Sequence, residues 1–247
     1  MSGILGCPSK RKAERVFEQA ARESLGVDIY AHSMDEMVWD LDLRNRRLTT
    51  VDGLSRFKNL WRLLLGSNPL RSVSGLERLS KLVSLDMDGC PIRDITSLSS
   101  IESLASLVVC HTPLRTLPAN SSLKSLDAEG TRIEDIEWLP EWTQLHYLNL
   151  GHTYVSCIEP IAESTSLKSL VLSGTLVEAL PKASGALELL CLDDCPLQGM
   201  INIDHLKSLR SLDITRTPTS FFGQASHSLV ALGLGWTNIR DLGWLQF

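Results

Sequence analysis

The chain has 247 residues, 43% of them hydrophobic, enough apolar material for one large domain or two ordinary ones. Twenty-four basic against twenty-nine acidic residues give a formal charge of -5, too mild and of the wrong sign for a protein built chiefly to grip phosphate backbones. No stretch approaches the ~20 apolar residues of a membrane helix, and the opening MSGILGCPSKRK lacks the parts of a signal peptide; the chain is expected to be cytoplasmic, with neither membrane nor nucleic acid as its partner.

Residues 1 to 37 differ in pattern from the rest of the chain. Ser9 to about Leu25 is rich in helix formers and places Ala13, Val16, Phe17, Ala20 and Ala21 on one side, with Gly26 as a stop. Lys10, Arg11 and Lys12 open a helix that also holds Glu14, Glu18 and Glu23, so they read as a solvated face rather than a localisation or phosphate-binding patch. Gly3 is not the residue after Met1, so the N-myristoylation pattern is not met.

From residue 38 the sequence repeats with a period of 22, clearest in LKSLDAEGTRIEDIEWLPEWTQ (123 to 144) followed by LHYLNLGHTYVSCIEPIAESTS (145 to 166). Ten consecutive units begin at Val38, Leu60, Leu82, Leu104, Leu123, Leu145, Leu167, Leu187, Leu209 and Leu229. Their fourth position is leucine without exception, from Leu41 to Leu232, and the sixth is always apolar, from Leu43 through Met87, Val109 and Ala128 to Leu234. Such alternation predicts a strand with one face buried. The ninth position runs Arg46, Asn68, Cys90, Thr112, Thr131, Thr153, Thr175, Cys195, Thr217 and Thr237, mostly short side chains able to bond backbone where the chain leaves its strand. Positions eleven and fourteen add a second apolar row, which stacked units can hide and a single unit cannot. Three units are short: 104 to 122 has 19 residues, while 167 to 186 and 209 to 228 have 20.

This pattern resembles the leucine-rich repeat proteins, in particular the 22-residue class shared by a protein phosphatase-1 regulator, the axonemal dynein light chain and the internalins. The Leu-Pro of the shortened units at 117 and 180 resembles instead the short repeats of bacterial effector proteins. The resemblance spans residues 38 to 247. It implies an α/β leucine-rich repeat solenoid, a curved horseshoe with a parallel sheet on its concave face and short turns or single-turn helices outside. Residues 1 to 37 are then expected to be a helical cap over the terminal sheet edge. At the other end Trp236, Trp244 and Phe247 are expected either to cover the core or to mark a contact.

In this family partners usually bind the concave wall, which implies contacts at positions two, three, five, seven and eight. Position five holds Asp42, Leu64, Asp86, Val108, Asp127, Asn149, Val171, Cys191, Asp213 and Gly233, one per strand and about 4.8 Å apart. Asp88 and Glu129 at position seven strengthen the acidity in the middle, and Asp193 and Asp194 form a second group with Asp213, so a basic segment of a protein partner is expected to be attracted. Trp39 and Trp61 fall side by side at position two and are read either as contact hot spots or as residues packed beneath the cap. His146, Tyr147 and His152 are expected to gather on the sixth strand, with Tyr147 as the central contact, and Trp236 completes the candidate surface.

Catalytic chemistry is not expected. His111 and His152 stand two strands, roughly 10 Å, apart, too far to share a zinc ion. Cys191 has no histidine beside it to activate the thiol, Asp193 and Asp194 have no sign of a desolvated pocket, and no glycine-rich phosphate loop occurs. Cofactors and metals are therefore not expected. The six cysteines, Cys7, Cys90, Cys110, Cys157, Cys191 and Cys195, are scattered and read as free thiols of a reducing compartment. Sequence reasoning thus points to a non-enzymatic adaptor or scaffold. The alternatives are a structural subunit of an axoneme or ribonucleoprotein, contacting through its outer wall and termini, or a bacterial effector-type repeat protein.

Overall fold

The structure, a computed structural model, describes residues 19–20, 37–117, 122–182, 186–198, 200–201, 203, 206–222 and 228–240. The chain divides into two compact units, Met1–Asn120 and Ser121–Phe247. The expected cap helix lies outside the described residues apart from Gln19 and Ala20, which are helical, with Ala20 buried. Trp244 and Phe247 also lie outside them.

Every repeat contributes one three-residue parallel strand. In the first unit these are β1 (Asp40–Asp42), β2 (Arg62–Leu64), β3 (Ser84–Asp86) and β4 (Ser106–Val108). Their position-four leucines align as Leu41, Leu63, Leu85 and Leu107. The second unit carries β5 (Ser125–Asp127), β6 (Tyr147–Asn149), β7 (Ser169–Val171), β8 (Leu189–Cys191), β10 (Ser211–Asp213) and β12 (Ala231–Gly233). Here Leu126, Leu148, Leu170, Leu190, Leu212 and Leu232 align in the same way. A separate pair, β9 (Met200–Ile201) and β11 (Phe221–Phe222), forms a short parallel sheet between the segments that lead out of β8 and β10. Each unit is therefore a stretch of leucine-rich repeat solenoid.

In five of the six 22-residue repeats the return path is a 3-10 turn, at Leu54–Arg56, Leu76–Arg78, Thr96–Ser100, Leu139–Glu141 and Glu159–Glu163. Each is closed by the N–H of position seventeen donating to the carbonyl of position fourteen, as in Leu76 to Val73 at 3.1 Å. Positions seventeen and twenty thereby become a third and fourth buried row: Leu54, Leu76, Leu98, Leu139 and Ile161, then Phe57, Leu79, Ile101 and Trp142. A 3-10 turn suits a wall only a few residues long, because it ties the chain back every three residues.

Position nine fastens the turn that leaves the strand and, where it is cysteine or asparagine, ties it to the preceding repeat. The hydroxyls of Thr112, Thr131, Thr153, Thr175, Thr217 and Thr237 each donate to the carbonyl three residues back, at 2.6–2.9 Å. The thiols of Cys90 and Cys195 donate across a repeat, to the carbonyls of Leu65 (3.4 Å) and Leu172 (3.0 Å). Asn68 does more: its amide nitrogen donates to the carbonyls of Leu43 and Leu65, and its oxygen accepts from the N–H groups of Arg46 and Leu48. Burial pushes the thiols of Cys90 and Cys195 upward in pKa, so both stay protonated donors at neutral pH.

Immediately before it, position eight is left-handed in all ten repeats, with φ between 53° and 67° at Asn45, Ser67, Gly89, His111, Gly130, His152, Gly174, Asp194, Arg216 and Trp236. This bend turns the chain off the strand while its N–H still reaches the next repeat, as from His152 to the Ser173 carbonyl at 2.7 Å. Left-handed backbone disfavours residues other than glycine by about 1–2 kcal/mol. His152→Gly is therefore expected to raise stability by about 1 kcal/mol, and Gly89→Ala to lower it by a similar amount, both read from urea unfolding midpoints. Equal midpoints for the three proteins would contradict the strain assigned to this bend.

Candidate functional site

Alternation along each strand buries position four and turns positions three and five to the open face of the sheet. In the first unit two exposed indoles stand just ahead of the first two strands. Trp39 and Trp61 precede adjacent strands whose first residues, Asp40 and Arg62, are in register. The Trp61 N–H donates to the Trp39 carbonyl at 2.9 Å, which fixes the two backbones side by side. Trp39 is 62% exposed and Trp61 46%. Arg62 forms an ion pair with Asp40 at 2.9 Å beside them.

The carboxylates of position five have a local task that the sequence reading did not assign. Asp42, Asp86, Asp127 and Asp213 each accept a hydrogen bond from the N–H of position seven, at 2.9–3.3 Å, and Asn149 does so from Gly151. This is the side-chain turn that Asp and Asn form readily, two residues ahead of themselves. Several charges are also paired. Arg44 grips Asp42 through Nε and a terminal nitrogen, holding the Asp42 carboxyl below its usual pKa. His111 Nδ1 lies 3.0 Å from Asp88, and Arg216 bonds Asp193 at 2.6 Å. The acidity expected of this face is thus partly taken up by the turns and pairs of the fold itself.

Two residues expected on the contact surface are covered. Leu64 is 7% exposed and Asn149 6%. Leu64 lies in register between Asp42 and Asp86, and the neighbouring bare Gly66 lets the Arg44 and Asp86 side chains close over that spot. Asn149 is folded onto its own turn, with its amide nitrogen donating to Glu129 at 3.2 Å. Val108, Val171 and Cys191 are half-buried, as are Asp86, Asp88, Asp127, Glu129 and Asp213, while Asp42 is exposed.

The histidine cluster expected on β6 is also spread out. His146, exposed and donating from Nδ1 to the Gln144 carbonyl, and half-buried Tyr147 lie at the start of the strand. His152 lies past its far end, beyond the left-handed bend, with its imidazole over Gly174. Extended chain and turn hold them apart because a strand rises about 3.3 Å per residue. Trp236 sits at the equivalent bend of the last described repeat and is 88% exposed.

No group of three or more His, Cys, Asp or Glu residues is placed to hold a metal ion among the described residues. The Cys191 thiol lies 3.3 Å from Ser173 Oγ and from Asp193 Oδ1, and its pKa is raised by burial. That is the reverse of what a nucleophile needs. Among the described residues Cys90, Cys110, Cys157, Cys191 and Cys195 form no disulfide, and no described helix is long and apolar enough to cross a membrane.

Sequence reasoning missed two exposed apolar side chains, Tyr154 and Leu176, at position ten of adjacent repeats. Position ten is proline in five repeats (Pro69, Pro91, Pro113, Pro196, Pro218), so a tyrosine and a leucine there were a readable departure. Without proline both residues keep their N–H and donate to the preceding repeat, Tyr154 to Ile133 and Leu176 to Val155.

No protein-family model matches the chain, and no curated protein does. Solved structures do. An internalin (inlF) from Listeria monocytogenes superposes with a TM-score of 0.57 at 20% identity, covering 95% of this chain and 91% of that one. Internalin C2 (inlC2) from the same species gives a TM-score of 0.62 at 21% identity over 93% of this chain and 87% of its own. The Toll–Spatzle complex of Drosophila gives 0.66 at 16% identity, covering 77% of this chain and 29% of the matched one. At these identities the likeness is one of fold, and the fold is that of leucine-rich repeat proteins.

Proposed function

We propose that the chain is a non-enzymatic protein-interaction module and that its first unit holds a protein partner on the open face of β1 to β3, with Trp39 and Trp61 as anchors. The observation that carries this is the exposure of the two indoles just ahead of adjacent strands, in a chain able to bury a tryptophan fully, as it does Trp142. An exposed aromatic pair on a rigid sheet supplies a large contact area at little entropic cost, the character of an interface hot spot. One of the similar folds was solved as Toll in complex with Spatzle, which supports a protein as the class of ligand.

The partner's contacting segment is basic. Asp86 and Asp88 lie two strands from the first indole, and Asp127 and Glu129 offer the same chemistry in the second unit, beside Tyr147. We place the protein in the cytoplasm, where cysteines without disulfides, as among its described residues, are the rule.

Affinity purification with wild type and a Trp39→Ala, Trp61→Ala double variant tests the reading. Hot-spot truncations of this kind remove about 2 kcal/mol or more each, so capture of the specific partner is expected to fall by more than about tenfold. Undiminished capture by a variant with wild-type circular dichroism would refute the anchors. Asp86→Asn keeps the turn acceptor and removes the charge. It is expected to weaken binding at low salt and to flatten its salt dependence, and an unchanged salt dependence would remove the basic segment from the proposal.

A further inference from the structure

The formal charge of -5 conceals a basic wall in the first unit. In the first four repeats, positions one to nine carry three basic against four acidic residues, whereas the return segments, positions ten to twenty-two, carry eight basic against four acidic. Within these segments Arg71, Arg93 and Arg115 occupy position twelve of three consecutive repeats, and all three are exposed. Each follows a fully buried residue of position eleven, Leu70, Ile92 or Leu114. The row is therefore anchored to stacked core positions and advances by about 4.8 Å per repeat. Arg47, exposed at position ten of the first repeat, extends the charge.

The fold does not require this row. Position twelve is Thr49, Glu134, Ser156, Glu178 or Gln198 in other repeats, and like charges at this spacing repel one another. Arg44, Arg62 and Arg216 each pair with an aspartate, but among the described residues neither Arg71 nor Arg93 forms an ion pair. Two of the four carboxylates on the same segments are engaged by their own turns. Glu77 accepts from the Gly75 N–H at 2.6 Å, and Asp94 accepts from the N–H and hydroxyl of Thr96 at 2.8 and 2.6 Å.

We propose that this row binds an acidic segment of another protein, laid along the repeats with its Asp or Glu side chains on the guanidinium groups of Arg71 and Arg93. The row holds arginine and no lysine, and the guanidinium fork takes a carboxylate through two parallel hydrogen bonds. An extended segment turns every second side chain to one side, about 6.6 Å apart, a difference from the row spacing that the long arginine side chains span. Nucleic acid and membrane fit the wall less well. Phe57, the one aromatic residue of these segments, is buried, so bases find no stacking surface. The exposed large hydrophobic residues described in this unit, Met37, Trp39 and Trp61, all lie outside the return segments, which leaves no apolar side chain there to enter a bilayer.

The test is fluorescence anisotropy of the full chain with a labelled, end-blocked twelve-residue peptide of alternating Glu and Ser. Binding is expected at about 50 mM salt and is expected to be lost by about 500 mM. The Arg71→Ser, Arg93→Ser double variant, for which Ser156 is a precedent at the same position, is expected to bind about fivefold more weakly or worse. Lys58→Ser with Lys81→Ser removes the same charge elsewhere on the wall and is expected to change binding by less than about twofold. The Trp39→Ala, Trp61→Ala variant should bind the peptide as wild type does, which separates this site from the indoles. A benzophenone carried by the peptide gives a reading that needs no variant: its adducts should map to residues 69–72 and 91–94. No binding at about 50 mM salt, equal losses in the arginine and lysine variants, or adducts confined to the strands would each overturn the inference. Tighter binding by a thymidylate heptamer, which carries the same six charges, would overturn it in favour of nucleic acid.

Discussion

Asn68→Ala is expected to lower the stability of the chain by about 3–5 kcal/mol, an effect as large as the loss of a big core side chain. Asn68 is buried and serves four backbone groups at once: the carbonyls of Leu43 and Leu65 and the N–H groups of Arg46 and Leu48. Alanine leaves these groups without that partner, and each buried group so deprived costs about 1–3 kcal/mol. Threonine, the usual residue at this position, can replace only the bond to the carbonyl three residues back. Asn68→Thr is therefore expected to fall between alanine and wild type. Urea unfolding followed by circular dichroism measures the order. Near-equality of alanine and wild type would show that water enters the turn and that the asparagine does not fasten it.

Trp142 separates two contributions within one side chain. The ring is fully buried, with its centroid 4.3 Å from that of Trp138, yet its Nε1–H has no hydrogen-bond partner among the described residues. Trp142→Ala is expected to cost about 3–5 kcal/mol through the cavity it leaves. Trp142→Phe removes less volume and also removes the unpartnered donor, whose burial costs about 1–3 kcal/mol, so the two changes offset and the net effect should lie within about 1 kcal/mol. Phenylalanine already fills the equivalent place in the first repeat, at Phe57. A phenylalanine variant as damaged as the alanine variant would mean that the indole N–H is satisfied.

Much of the fold could be read from the residues because its rules repeat. Leucine at position four in ten units predicts the strands β1 to β8, β10 and β12, and the short hydrogen-bonding residue at position nine predicts the turn beyond all of them but β1, where Arg46 stands. The left-handed bend at position eight was harder to see, because Asn45, Ser67, His111, Arg216 and Trp236 share no side-chain chemistry; what they share is a backbone angle. Only the glycines there carry the usual signal. The buried rows at positions seventeen and twenty, and the short sheet of β9 and β11, depend on how the return segments settle against one another, which a strand template does not encode.

The candidate site was legible in outline and misleading in detail for a physical reason. Position five faces the open side of the sheet, but an Asp or Asn there reaches forward to its own turn, as Asp86 and Asn149 do. Its presence is explained by the fold before any partner is considered. The tryptophans are different. Nothing in the repeat requires an indole at position two, where other units carry Val83, Ala105, Lys124 or Lys168, and for that reason the functional proposal rests on them.

Photo-cross-linking tests that proposal most directly. With a benzophenone amino acid in place of Trp61, the purified partner should become covalently attached, and the same group in place of Ser99, on the return turn of the third repeat, should give no adduct. Attachment from position 99 with none from position 61 would place the partner on the other side of the repeats and contradict the account.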